Sequence, residues 1–152
     1  MSYPCEAVEQ PAQPVLSIRT RTPVQNLPDV LGKGYQDVLQ RLSELGEHPA
    51  GAPFVAYYNM DMQDLDLEIG FPVSKKLQGK EAVQSSEIPG GKFATCLYTG
   101  PYPEMPPAYE ALTAWVQESG QEPTGVVYEH YLNSPREVSP QELKTLIAFP
   151  LK

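Results

Sequence analysis

Apolar positions along the chain alternate between two periods, and the alternation is regular enough to name elements. Residues 14–22, "PVLSIRTRT", read as a strand that runs into Pro23. From residue 28, "PDVLGKGYQDVLQRLSELG" places Val30, Leu31, Tyr35, Val38, Leu39, Leu42 and Leu45 at helical spacing, closed by Gly46. Two further strands follow, "PFVAYYNM" at 53–60 and "LDLEIGFPV" at 65–73. The same succession then returns. "GKFATCLYT" at 91–99 is a strand before Pro101, and "PPAYEALTAWVQESG" is a helix with Ala108, Leu112, Trp115 and Val116 on one stripe and Gly120 at its end. "GVVYEHYLN" at 125–133 and "LKTLIAFPL" at 143–151 are the closing strands.

The repeat is explicit in the last strands. At a constant offset of 78, Leu65, Ile69, Phe71 and Pro72 match Leu143, Ile147, Phe149 and Pro150. Each strand ends at a proline, which removes a ladder donor. The order β-α-β-β therefore occurs twice, in halves spanning approximately 12–73 and 83–152 of a single 1–152 domain, joined through the stretch 74–86, "SKKLQGKEAVQSS". The predicted class is α+β: duplicated β-α-β-β units with pseudo-twofold symmetry, an antiparallel-rich sheet with helices on one face and a ligand groove on the other.

Composition narrows the partners. A formal net charge of −8, with no Lys/Arg cluster, argues against nucleic acid and against an anionic membrane, and leaves a cationic or neutral small molecule. No apolar run is long enough to span a bilayer. The beginning, "MSYPCEAVEQ", has neither the basic region nor the apolar core of a signal peptide, so a reduced cytoplasm is the expected location. Cys5, in an N-terminus read as loose, and Cys96, in an apolar strand, have no metal-ligand spacing; no metal and no cofactor are expected. The 17 prolines are scattered among apolar segments, so a folded chain is expected.

The unusual residue is Glu129, in the middle of a strand and flanked by tyrosines. Strand alternation puts Val127, Glu129 and Tyr131 on one face, and Val126, Tyr128, His130 and Leu132 on the other. His130 thus points away from the carboxylate, which weakens any histidine–carboxylate dyad. Aligning Phe54 with Val126 makes Tyr57 the counterpart of Glu129, a tyrosine and a carboxylate facing one concave surface. Each candidate has a plainer reading. A strand glutamate most often faces solvent, as Glu68 in the first half could too. Tyr98 could close a strand edge, Tyr102 and Tyr109 could pack on one another, and Trp115 fits a helix core. His48 precedes a loop proline and reads as exposed. The chain has no GxSxG, Walker-type, HExxH or Rossmann motif, and the adjacent glycines of "IPGGKF" fit a turn into a strand. Any chemistry rests on carboxylate and phenol.

At this point the chain resembles the GyrI-like small-molecule-binding domains. The resemblance is carried by "IPGGKFA", "GPY" at 100–102, the helix "AYEALTAWVQESG", the strand and loop "YEHYLNSP" and the terminal "LIAFPL", with "VAYYNM" and "DLDLEIGFPV" upstream. It implies a duplicated fold with a ligand groove and a groove glutamate that contacts lipophilic, often cationic and aromatic ligands among tyrosines. Glu129 matches that position. Tyr57, Tyr131 and Phe149 are expected walls, with Glu68, Phe71, Tyr98, Tyr102 and Trp115 as further candidate contacts. Family members that regulate transcription add a helix-turn-helix domain, for which these 152 residues leave no room, so a stand-alone binder is expected, as monomer or homodimer. Two alternatives stay open. The resemblance also implies a hydrolase of cyclopropane-containing electrophiles, with Glu129 and Tyr57 or Tyr131 as the catalytic pair, or a protein partner of the gyrase type.

Overall fold

The computed structural model describes residues 3–152, with eight strands and two α-helices. The chain divides into two compact units. The first is Pro11–Gly90; the second joins Gly91–Lys152 to the N-terminal strand.

In the first unit the strands are β2 (Gln13–Thr22), β3 (Phe54–Tyr57), β4 (Leu65–Pro72) and β5 (Gln84–Ile88), in the order β3-β4-β2-β5 with antiparallel pairing throughout. Helix α1 (Leu27–Glu44) starts with Pro28 in its first turn and Asp29 beside it, both suited to a helix N-terminus. It buries Gly34, Val38 and Leu42, an i, i+4 row, and this row excludes Leu39, which is 42% exposed despite its place in the predicted stripe. Val38 and Leu42 join Leu16, Ile18, Phe71 and Val73 in one core cluster, with Tyr35 packed against it.

The second unit repeats this plan with β1 (Cys5–Gln10), β6 (Gly91–Thr99), α2 (Pro106–Glu118), β7 (Val127–Tyr131) and β8 (Lys144–Pro150), in the order β1-β6-β8-β7. Its helix buries Ala108, Leu112 and Val116. Both helices end in the same way. Gly46 N–H donates to the Ser43 carbonyl and Glu47 N–H to that of Leu42, while Gly120 N–H donates to Gln117 and Gln121 N–H to Val116. The two glycines sit at φ +68° and +71°, the left-handed conformation of a Schellman cap.

Two strands depart from expectation. Residues 5–10, read as loose, pair with β6, and the end of the stretch read as a connection forms β5 against β2. Each unit is thus a β-α-β-β motif with one added edge strand.

The pairing registers also correct the internal alignment. Ile18 and Cys96 stand opposite Ile69 and Ile147, so the offset of 78 holds for β2/β6 and β4/β8. The buried helix rows 34/38/42 and 108/112/116, and the caps Gly46 and Gly120, match at 74. Four residues, about one helical turn, are therefore missing before the end of α2, and the longer connection from β7 to β8 restores them. Val55 faces Ile69 and Glu129 faces Ile147, so Val55, not Tyr57, occupies the place of Glu129. Tyr57, opposite Leu67, matches Tyr131, opposite Thr145.

Candidate functional site

Glu129 lies on the face of the second unit that carries α2, not on the helix-free face where the sequence reading put the ligand groove. Strand pairing sets Glu129 beside Ile147, and Tyr131 beside Thr145 on the same face. Helix α2 supplies the residue that fixes this arrangement. The Tyr109 hydroxyl donates to Oε2 of Glu129, and the Tyr131 hydroxyl donates to Oε1 at 2.7 Å. Two phenols therefore hold the two carboxylate oxygens, one from the helix and one from the strand.

Aromatic rings extend the site. Tyr102, in the 3₁₀ turn before α2, meets the Tyr131 ring edge-on at 5.8 Å and 68°. Tyr109 lies 6.0 Å from Phe149 of β8. Beside Phe149, an apolar cleft of about 160 Å³ opens between Thr113, Val116 and Gln117 of α2 and Val127, on the strand face that carries Glu129. That volume falls below the ~300 Å³ of a drug-sized pocket and suits a single ring, since an engineered cavity of about 150 Å³ holds benzene.

Burial sets the electrostatics. Desolvation pushes the Glu129 carboxyl above its ordinary range, and the hydrogen bonds from Tyr109 and Tyr131 oppose the shift without cancelling it. The Tyr102 phenol is also raised, first by burial and then by the nearby Glu129 charge. Among the described residues no cation forms an ion pair with Glu129. His130 lies on the other face, stacked on Tyr128 at 6.2 Å and 10°, as strand alternation predicts; burial lowers its pKa.

The other candidates separate into distinct settings. Tyr98 is buried, and its hydroxyl donates to the Pro101 carbonyl at 2.7 Å, which anchors the turn before α2. Trp115 is half-buried on α2. In the first unit, Tyr57 is buried, and Phe71 packs edge-on against Tyr35 at 5.4 Å. Glu68 is buried on the opposite face of β4 from Phe71. Ser17 Oγ donates to it at 2.5 Å and the Tyr58 hydroxyl at 2.6 Å. The Arg19 guanidinium covers the Tyr58 ring at 3.7 Å and forks onto Asp66 at 2.7 and 2.8 Å, holding the Asp66 carboxyl below its usual range. Glu68 is thus a strand-pinning carboxylate, separate from Phe71.

Tyr109, weighed in the sequence only as packing on Tyr102, is the residue whose role at Glu129 was not assigned there. The signal lay in the repeat: at offset 74, Tyr35 matches Tyr109, and Phe71 matches Phe149 at 78. In the first unit the Tyr35 hydroxyl donates to the Phe54 carbonyl at 3.1 Å. The second unit keeps the Tyr–Phe pair and places a glutamate where the first has Val55.

Among the described residues, no group of three or more His, Cys, Asp or Glu side chains is placed to hold a metal ion. Among the described residues, no helix is long and apolar enough to cross a membrane.

Similar folds occur in proteins of different kinds. The regulator EcmrR, solved in a DNA complex with RPo, is 22% identical at a TM-score of 0.85; the match covers 99% of this chain and 57% of EcmrR, so the chain spans little more than half of that protein. The isolated EcmrR C-terminal domain matches at 20% identity and TM-score 0.81, over 100% of this chain and 99% of the domain. A hydrolase from Listeria innocua matches at 15% identity and TM-score 0.69, over 97% and 91% of the two chains. SAV2435, solved with tetraphenylphosphonium bound, matches at 12% identity and TM-score 0.66, over 100% and 94%. At these identities the likeness is one of fold. No curated protein sequence matches the chain. The description of the GyrI-like small molecule binding domain matches residues 3–152, and the chain belongs to that family.

Proposed function

We propose that this chain binds lipophilic organic cations, with Glu129 as the counter-charge and Tyr102, Tyr109, Tyr131 and Phe149 as the aromatic surround. The observation that carries this reading is a largely desolvated carboxylate held by two phenols with no cationic partner among the described residues. Such a group lacks full solvation, and a diffuse cation with flat apolar substituents supplies both charge and ring contact. The neighbouring cleft has room for one aryl group. The tetraphenylphosphonium bound to SAV2435 is a compound of this chemical kind, which supports the choice of ligand class.

One observation favours hydrolysis as a second reading. A carboxyl with a raised pKa beside phenolic donors has the make-up of a general base with an electrophile-activating partner, and one similar fold belongs to a hydrolase. A panel of cationic dyes, neutral aromatics and a cyclopropane-bearing electrophile separates the two. We expect the dyes to bind, to weaken in Glu129→Gln, and to be recovered unchanged by mass spectrometry. Addition of water to the electrophile by the wild type, lost in Glu129→Gln while binding persists, would transfer the weight to catalysis.

A further inference from the structure

The two cysteines of the chain, far apart in sequence, are direct cross-strand partners. Cys5 of β1 stands opposite Cys96 of β6 in the antiparallel register. The kind of pair follows from its neighbour. Leu97 N–H donates to the Pro4 carbonyl at 3.3 Å, so residues 4 and 97 occupy a hydrogen-bonded position, and Pro4 has no N–H to return. Positions alternate, so Cys5 and Cys96 form a non-hydrogen-bonded pair, whose Cα atoms lie ~4.5 Å apart with side chains close together. That separation falls within the ~4.4–6.8 Å range that disulfides span. Both thiols are free.

We propose that Cys5 and Cys96 are an oxidisable pair, which a hydroperoxide converts to a disulfide that locks the N-terminal strand β1 onto β6. The accessibilities assign the order of events. Cys96 is fully buried while Cys5 is half-buried, so the oxidant meets Cys5. Burial, and then the neighbouring Cys5, push the Cys96 thiol up to about 12, which leaves it protonated and unreactive toward solution oxidants. The Cys5 thiolate attacks the O–O bond of hydrogen peroxide; its sulfur is oxidised to a sulfenic acid, and the departing hydroxide takes a proton to become water. The Cys96 sulfur then attacks the Cys5 sulfur. The S–S bond forms, the S–O bond breaks, and the leaving hydroxide carries off the Cys96 proton as a second water. Two thiols and one hydrogen peroxide give one disulfide and two waters.

The lock has a mechanical consequence. β1 is the edge strand of its unit and is largely exposed, so it belongs to the part of the fold that opens most readily. The bond closes a loop containing the whole first unit, and reduction releases it.

The test is mild hydrogen peroxide treatment of the whole protein, then alkylation, intact mass and a peptide map under non-reducing conditions. The expected result is a monomer that has lost two hydrogens, resists alkylation, yields a linked Cys5–Cys96 peptide, and recovers with dithiothreitol. Hydrogen exchange at the β1 amides should slow on oxidation, and Cys5→Ser should abolish both changes. Oxygen retained on Cys5, a disulfide between two chains, or two thiols that still alkylate after oxidation would each overturn the proposal. Because Cys5 is half-buried, its serine variant is a folded control even if Cys96→Ser is not.

Discussion

At the scale of single residues, the charge of Glu129 is decided by a contest between burial and two phenols. Burial wins, so the folded carboxyl has a higher pKa than the unfolded one. Between those two values the folded protein holds more protons than the unfolded chain. Stability from this group therefore falls as pH rises through that window, and the cost stays in full above it. Glu129→Gln removes the cost. Its melting temperature should match or exceed the wild type at neutral pH, with the gap closing as acid protonates the wild-type carboxyl, as thermal unfolding across pH would record. Tyr109→Phe acts in the opposite sense on the carboxylate. Loss of one charge-assisted hydrogen bond, worth about 1.5–3 kcal/mol, raises the carboxyl further, so the pH midpoint for cation binding should move up in a titration of affinity against pH. Glu129 and Tyr131 were legible because strand alternation fixes which side chains share a face. Tyr109 was not, because it reaches the carboxylate from a helix whose turn toward the strand depends on packing of Ala108, Leu112 and Val116.

At the scale of elements, two glycines predict opposite sensitivities. A Cβ on Gly46 meets nothing within 4 Å, so Gly46→Ala costs only the left-handed backbone, about 1–2 kcal/mol. A Cβ on Gly70 would lie 2.2 Å from the Leu16 carbonyl oxygen and 2.8 Å from Ser17 Cβ. Gly70→Ala must push β4 from β2 where Ser17 meets Glu68, and its cost should exceed about 3 kcal/mol in denaturant unfolding. Helix ends were readable, since glycine after a periodic run has one physical meaning there. The edge strands β1 and β5 were not. "CEAVEQ" and "QSSEI" bury little, so no alternation of apolar residues announces them, and their pairing depends on the neighbouring strand.

At the scale of the whole molecule, duplication explains both what the sequence revealed and where it misled. The Phe-Pro strands match at Leu65/Leu143, Ile69/Ile147, Phe71/Phe149 and Pro72/Pro150 because each closes a core against its own helix. Four residues lost before the end of α2 and regained before β8 keep both ends of the repeat in step while displacing its middle. Aligning Phe54 with Val126 sets β3 against β7 at an offset of 72, two residues short of the 74 that the registers give, and this slip, which preserves strand parity, made Tyr57 look like the partner position of Glu129. The two units share a Tyr–Phe pair, and they differ where the second replaces Val55 by a glutamate, which concentrates the candidate chemistry in the second unit. The formal net charge of −8 adds a field that favours cations. The most direct test is calorimetric affinity for tetraphenylphosphonium, measured from acidic to neutral pH in wild type and Glu129→Gln. Wild-type affinity should fall as acid protonates Glu129, and the variant should bind at least about tenfold more weakly at neutral pH, a difference of ~1.4 kcal/mol, with no pH dependence of its own in that range. Equal affinity in the two proteins at neutral pH would contradict the counter-charge role of Glu129.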